Sequence, residues 1–140
     1  FEVLQIMRDN GIPTVVWLTP LLPFINDDEE NLRGILDYCV QAQVYGIINF
    51  GMGLTLREGN REYFYRRLDE HFPGLKQRYQ RKYGNSYEVN SDNHERLQRI
   101  LRSECQKHNI CCNNDEIFRY MSAFKEKQKE RQMGLPMGMG

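Results

Sequence analysis

The stretch TVVWLTPLLPFIND, residues Thr14–Asp27, decides how the rest of this chain is organised. Its first part, Thr14–Leu18, is apolar and rich in β-branched residues, which predicts a β-strand buried on both faces. The second part, Pro20–Asp27, contains two prolines that end the strand, because proline has no backbone N–H to donate to a neighbouring strand. Its last two residues, Asn and Asp, offer side-chain oxygens to the free N–H groups of a helix start. The stretch therefore predicts a buried strand, an exposed turn and a helix.

The next segment, Asn31–Tyr45, has the clearest helical pattern of the chain. Apolar residues recur every three or four positions and form one stripe: Leu32, Ile35, Leu36, Cys39 and Val40. Gly46 ends this helix, and Ile47–Phe50 reads as a second short strand. The spacing fits one strand–helix–strand unit with parallel strands. Ligands of parallel α/β folds bind beyond the carboxyl ends of the strands, so residues 19–27 and 51–53 are the first candidates for a binding surface.

The other predicted elements are helices. Residues 1–10 are amphipathic, and Gly11 fits a left-handed helix cap. A helix beginning near Asn60 is broken by Pro73-Gly74, and a second helical piece ends at Gly84. Two more helices are predicted, one beginning at the capping pair Asp92 and Glu95 and one over Asp115–Phe124. From Lys125 the sequence alternates charges and then becomes rich in Gly and Met, so we expect a tail that is mobile or packed on a partner.

Composition excludes several classes of function. The 140 residues carry 19 Lys and Arg against 19 Asp and Glu, so net charge predicts no bulk attraction to nucleic acid or to an anionic membrane. No apolar run is long enough to span a bilayer, and no secretory signal is visible. We therefore expect a cytoplasmic protein with reduced thiols. Cys39 is expected in the core, no metal site is assigned, and the roles of Cys105, Cys111 and Cys112 stay open.

The segment Arg61–Tyr83 alternates basic and aromatic residues. Such a surface could bind phosphates and stack on bases, which would make it a nucleic-acid contact. The aromatic residues also keep the spacing of a helical core, with charges on a solvated face. Both interpretations are open at this point.

Three segments, in this order, resemble a known family. Gly11-Ile12-Pro13, the turn Pro20–Asp27 and the run Arg61–Gly84, with its Phe72-Pro73-Gly74, resemble the carboxy-terminal half of radical S-adenosylmethionine proteins. The branch with the greatest likeness is that of DNA repair photolyase-like proteins, related to spore photoproduct lyase. The likeness extends over residues 1–120.

The resemblance implies an α/β fold, the carboxy-terminal part of a partial (β/α) barrel with two parallel strands and their crossover helix. Residues 1–56 would belong to this barrel, 57–124 would be a helical extension and 125–140 the tail. In the family, S-adenosylmethionine lies across the carboxyl ends of the strands. By position, the residues that the resemblance assigns to this cofactor are Thr19, Pro20, Asn26, Asn49, Gly51 and Met52.

The activity implied for the whole protein is reductive cleavage of S-adenosylmethionine to a 5′-deoxyadenosyl radical, with an electron from a [4Fe-4S] cluster. This sequence has neither the CxxxCxxC motif that holds the cluster nor the family's GxIxGxxE form. We therefore expect a piece that is not catalytic alone, whose partner is the amino-terminal half of the same protein, and no catalytic residue is assigned.

A barrel fragment should expose the edge of its first strand and an apolar helix face, so in isolation it should dimerise, swap or aggregate. The alternative hypothesis is a non-enzymatic α/β-helical module that binds nucleic acid or a protein partner. Such a module should cover its strand edge and stay monomeric.

Overall fold

A computed structural model of the chain describes residues 1–134, which form a mixed α/β structure that is mostly helical. The helices are α1 (Glu2–Asp9), α2 (Glu29–Gln41), α3 (Asn60–His71), α4 (Leu75–Tyr83), α5 (His94–Lys107) and α6 (Asn114–Gln132). The strands are β1 (Val15–Trp17), β2 (Gly46–Ile48), β3 (Gly53–Thr55) and β4 (Glu88–Asn90). Within the described residues, no helix has both the length and the apolar character needed to cross a membrane.

The chain divides into two compact units, each assembled from segments that are distant in sequence. Unit 1 comprises Phe1–Leu18, Arg33–Asn49 and the chain from Arg99 onward. Unit 2 comprises Thr19–Leu32 and Phe50–Gln98. The boundary predicted between residues 56 and 57 stays a prediction.

Unit 1 contains the parallel pair that the sequence predicts. β1 and β2 are joined through α2 and pair in parallel, with Val16 opposite Ile47. A later segment extends this sheet, because Cys111 forms a parallel bridge to Gly46 and its carbonyl accepts the N–H of Ile47 at 2.8 Å. A Cβ at Gly46 would lie 2.9 Å from that carbonyl oxygen and 2.8 Å from Cδ1 of Ile117. Glycine therefore allows this close approach of backbone to β2.

The prediction that the first strand is buried on both faces is wrong. The Trp17 side chain is 51% exposed and lies 6.0 Å from the ring of Phe118 between centroids, while Val15 and Val16 are half-buried. Among the described residues β1 pairs with β2 alone, so it is an edge strand. An apolar β-branched run shows that a strand forms, but it does not show what covers each face.

Helix α1 exposes apolar side chains. Its sequence is amphipathic, yet none of its residues is buried, and Val3 and Ile6 are 62% and 61% exposed. The helix ends, as predicted, just before Gly11, whose φ is +69°. The side of unit 1 formed by α1 therefore presents an apolar helix face to solvent.

Unit 2 contains an antiparallel pair that the sequence analysis missed. β3 and β4 pair with Leu54 opposite Val89, so the predicted helical extension also contributes a strand. A Cβ at Gly53 would lie only 2.2 Å from the carbonyl oxygen of Val89, which makes this pairing dependent on glycine. The core of the unit is formed by Leu56, Tyr65, Leu68, Tyr79 and Val89.

The helices of unit 2 follow the predicted breaks. α3 ends at His71, Gly74 takes a left-handed conformation with φ +88°, and Gly84 follows the end of α4. The predicted capping role of Asp92 is not what the structure shows, because Asp92 forms an ion pair with Lys82 instead. The turn into α5 is closed by Ser91, whose Oγ accepts the N–H of Asn93 at 3.0 Å.

The last helix is longer than predicted. The sequence predicts a helix over Asp115–Phe124, whereas α6 continues to Gln132. The first residues of the predicted tail are therefore helical, and its end, residues 135–140, lies outside the described residues. Lys, Glu, Gln and Arg have high helix propensity, so this charged run extends the helix without needing an apolar stripe.

Candidate functional site

Unit 2 contains a cleft of about 690 Å³, which lies beside the β3–β4 pair. One side is formed by Thr19 and Pro20, which follow β1 in the chain, and by Phe50 and Gly51, which follow β2. The Phe50 side chain is 67% exposed, so a ligand in the cleft can reach its ring. Residues that follow β1 in the chain and residues that follow β2 therefore line the same cleft.

The cleft is also lined by Gly53, from the predicted segment 51–53, and by residues that sequence analysis did not single out. Gly53, Thr55, Glu88 and Asn90 contribute from β3 and β4, and His94 contributes from the first turn of α5. Two hydroxyls, one amide, one carboxylate and one imidazole therefore line the cleft. None of its described lining residues is Lys or Arg, so Glu88 gives the cleft its one formal charge at neutral pH.

Three of the six residues that the resemblance assigns to a cofactor line this cleft: Thr19, Pro20 and Gly51. The peptide between Thr19 and Pro20 is cis. Met52 is fully buried, so its side chain belongs to the core. Asn49 lies in unit 1, where its Nδ2 donates to the carbonyl of Leu18 at 2.8 Å.

Asn26, the sixth of these residues, shapes the loop after Pro20. Its Oδ1 accepts the N–H of Leu22 at 2.5 Å, and Oδ1 of Asp27 accepts the N–H of Phe24 at 3.0 Å. The prediction that Asn26 and Asp27 cap the following helix is therefore wrong. The helix cap is Asp28, whose Oδ1 accepts the N–H of Asn31 at 2.7 Å, because the two earlier side chains are used within the loop.

The same loop is tied to the rest of unit 2 by hydrogen bonds from two side chains. The hydroxyl of Tyr79, a fully buried residue, donates to the carbonyl of Pro23. Ser91 Oγ donates to Oδ2 of Asp27 at 2.5 Å. Phe24 has a φ of +65°, which a bulky residue rarely adopts, and the guanidinium of Arg78 lies 3.8 Å from its ring centroid. The loop is therefore held in one conformation next to the cleft residues that precede it.

His94 is held by the backbone beside Gly51. Its ring Nδ1 accepts the backbone N–H of Met52 at 3.3 Å, and the backbone N–H of His94 donates to the carbonyl of Ser91 at 3.1 Å. The carbonyl of Met52 in turn accepts the N–H of Ser91 at 2.8 Å. The sequence offers no signal for this arrangement, because it depends on the pairing of β3 with β4, which brings residues 51–53 beside residues 90–94.

The four cysteines all lie in unit 1 and are free thiols. Cys39 is buried, as predicted, and burial raises its pKa to about 11. Burial is also the main cause that raises the pKa of Cys105 to about 12. Where the structure describes side chains, no group of three or more His, Cys, Asp or Glu residues is placed to hold a metal ion.

Most residues of the basic and aromatic segment Arg61–Tyr83 are used within unit 2. Nη2 of Arg61 donates to three backbone carbonyls, those of residues 56, 85 and 86, at 2.9–3.4 Å. Lys76 pairs with Asp69 at 3.1 Å, and Tyr65 is buried. Contact with nucleic acid through this segment stays a prediction.

No family model matches the chain, and comparison with curated proteins and with solved structures gives no match.

Proposed function

We propose that this chain is the carboxy-terminal part of a radical S-adenosylmethionine protein, resembling DNA repair photolyases, and that the cleft of unit 2 is its share of the S-adenosylmethionine site. One observation carries the proposal. The resemblance assigns Thr19 and Pro20 after β1, and Gly51 after β2, to the cofactor, and the cleft is lined by all three. We expect the protein to work in the cytoplasm, where its thiols stay reduced.

The chemistry of the cleft fits this cofactor. Its volume of about 690 Å³ is typical of a small-molecule site. Gly51 allows a ligand to approach the backbone closely, and Phe50 offers an aromatic face to the adenine ring. The sulfonium of the cofactor is a cation, and Glu88 is the charged group of the cleft that would attract it. These residues would bind and orient the ligand, while the bound cofactor supplies the hydrogen-abstracting radical.

The described cysteines do not fit an iron–sulfur cluster. Thiolates are the ligands of such clusters. Cys39 and Cys105 are buried, which leaves Cys111 and Cys112 as the accessible thiols, fewer than the three of a CxxxCxxC motif. In the part of the chain whose side chains are described, no group of three or more His, Cys, Asp or Glu residues could hold a metal ion. We therefore assign the cluster to the amino-terminal half of the protein.

The partial barrel is part of the same proposal. The parallel β1–α2–β2 unit has the connection that barrels repeat. In the described part of the chain β1 is an edge strand, and α1 exposes Val3 and Ile6. An edge strand and an apolar helix face are what a barrel fragment should present to its missing neighbours. Unit 1 is therefore the part that we expect to pack against the amino-terminal half, or to dimerise in its absence.

Calorimetric titration of the 140-residue chain tests the cofactor site. We expect S-adenosylmethionine to bind with about threefold higher affinity than S-adenosylhomocysteine, which lacks the sulfonium charge, because an exposed ion pair contributes less than about 1 kcal/mol. Glu88→Gln should abolish this preference, whereas Glu58→Gln, an exposed acid outside the cleft, should keep it. Phe50→Ala should weaken both ligands, and the exposed Tyr63→Ala should not.

Absence of binding at about 1 mM S-adenosylmethionine would refute the proposal, since that concentration corresponds to only about 4 kcal/mol of binding free energy. Light scattering tests the barrel part separately. A lysine at the edge strand, Val16→Lys, should reduce self-association. Wild-type chain that stays monomeric at all concentrations would contradict the exposed-edge part of the proposal.

A further inference from the structure

We infer that His94 is a ligand-binding residue that donates its Nε2–H to an acceptor nitrogen of the adenine ring. This inference rests on the proposed function and names a residue of the same site that neither the sequence motifs nor the resemblance assigns.

The backbone determines which nitrogen of His94 carries the proton. Nδ1 lies 3.3 Å from the backbone N of Met52, which can only donate. Nδ1 must therefore be the acceptor, and the neutral ring carries its proton on Nε2. Among the described residues no partner occupies Nε2. The ring thus has one nitrogen bound to the backbone and an N–H group left to offer to a ligand.

The position of the ring is fixed from several sides. The peptide of Met52 is held by its carbonyl, which accepts the N–H of Ser91 at 2.8 Å, and the Met52 side chain is fully buried. Ser91 is held in turn by Asp27 through its hydroxyl. A donor that is oriented before binding loses little conformational entropy when the ligand arrives.

The surroundings of the ring select the class of ligand group. Gly51 lies against the ring, because a Cβ at Gly51 would be 3.9 Å from Cε1 of His94, and its φ of +147° also disfavours a larger residue. The described lining has no Lys or Arg, and Glu88 would repel an anion such as phosphate. The exposed ring of Phe50 favours a flat aromatic group instead. An uncharged nitrogen heterocycle can both accept the Nε2–H of His94 and stack on the ring of Phe50.

Two substitutions test the acceptor role of Nδ1 and the donor role of Nε2 separately. In His94→Asn the amide oxygen can still accept the Met52 N–H, but no donor reaches into the cleft. In His94→Gln the amide nitrogen lies near the former Nε2 position and can replace the donor. The exposed His71→Asn is the matched control. The probe is S-adenosylhomocysteine, which carries the adenine ring but no sulfonium.

We expect His94→Asn to weaken binding of S-adenosylhomocysteine about fivefold, His94→Gln to restore most of this loss, and His71→Asn to change nothing, since one hydrogen bond contributes about 1 kcal/mol. Long-range ¹H–¹⁵N spectra of the wild-type chain should show the Nε2–H tautomer at neutral pH. An Nδ1–H tautomer, or equal affinity of wild type and His94→Asn, would overturn the inference and leave the proposed function standing. Absence of binding to wild type would overturn both.

Discussion

Replacing Gly53 with alanine tests whether the β3–β4 pair depends on a close approach of two backbones. The added Cβ would lie 2.2 Å from the carbonyl oxygen of Val89 and 2.8 Å from Cα of Asn90. An ordinary contact begins near 3.4 Å, so the backbone of β4 would have to move by about 1.2 Å. Neither atom belongs to a flexible side chain, so the strain cannot be relieved by a change of rotamer.

The expected cost of Gly53→Ala follows from these contacts. Overpacking costs about 1–3 kcal/mol, and displacing β4 would weaken about two backbone hydrogen bonds at about 1 kcal/mol each. We therefore expect the free energy of unfolding to fall by about 3–5 kcal/mol. Gly34→Ala is the control, because a Cβ at Gly34 in α2 meets nothing within 4 Å. It should stabilise the chain by about 0.5–1 kcal/mol, since alanine is the better helix former.

Urea unfolding followed by circular dichroism measures both variants. With a slope of about 2 kcal/mol per molar urea, the midpoint should fall by about 2 M for Gly53→Ala and rise slightly for Gly34→Ala. A Gly53→Ala chain whose midpoint lies within about 0.3 M of wild type would show that β4 yields at little cost. The close approach at Gly53 would then carry no weight in the stability of unit 2.

Three further predictions concern buried polar groups. Tyr79→Phe should lower the free energy of unfolding by about 1–2 kcal/mol, because the buried carbonyl of Pro23 loses its donor. The control Tyr63→Phe should change the free energy of unfolding by less than about 0.5 kcal/mol. Equal effects of the two substitutions in thermal melts would contradict a stabilising role of the Tyr79 hydrogen bond. Iodoacetamide should label the exposed Cys112 before Cys39, as read by mass spectrometry; the reverse order would contradict the burial described. Folding raises the pKa of Cys39 from 9.0 to about 11, because the thiol is buried. Its contribution to the free energy of unfolding should therefore be retained below pH 9 and lost as pH rises from 9 towards 11. Equal urea midpoints at about pH 8 and about pH 10.5 would contradict this prediction.

The parallel strand–helix–strand unit was predictable because each of its signals is local. The apolar run before Pro20 and the helical stripe of α2 each follow from neighbouring residues. The predicted helix end at Gly46 is wrong, because α2 ends at Gln41 and Gly46 is the first residue of β2, which ends at Ile48. What covers β1 could not be predicted, because an apolar run carries no information about its neighbours. Trp17 lies in this apolar run and yet is half-exposed.

The β3–β4 pair was not predictable from the sequence. Each strand has only three residues, β3 begins with glycine, and two helices separate the strands in the chain. A run of three residues is too short to show an alternating pattern. Thr19, Pro20 and Gly51, which line the cleft, could be selected from the sequence because they follow predicted strands. Glu88, Asn90 and His94 could not, because only the antiparallel pairing brings them to the cleft.

The prediction of helix caps failed where several oxygens compete. Asn26, Asp27 and Asp28 are consecutive, and each can accept a backbone N–H near a helix start. The first two accept from Leu22 and Phe24 within the loop, which leaves Asp28 for the helix. Sequence identifies the set of capping residues here, and the loop conformation decides among them.

The interleaving of the two units in the chain has a consequence for synthesis of the protein. All segments of unit 2 have been translated once Gln98 is added, whereas unit 1 still lacks everything from Arg99 onward. That missing portion supplies the Cys111 backbone that bonds to β2 and the Ile117 side chain that packs against Gly46. Unit 2 can therefore complete its cleft once Gln98 has emerged from the ribosome, while one side of β2 remains open. Ribosome pausing beyond that point would prolong the interval in which the growing polypeptide needs a chaperone.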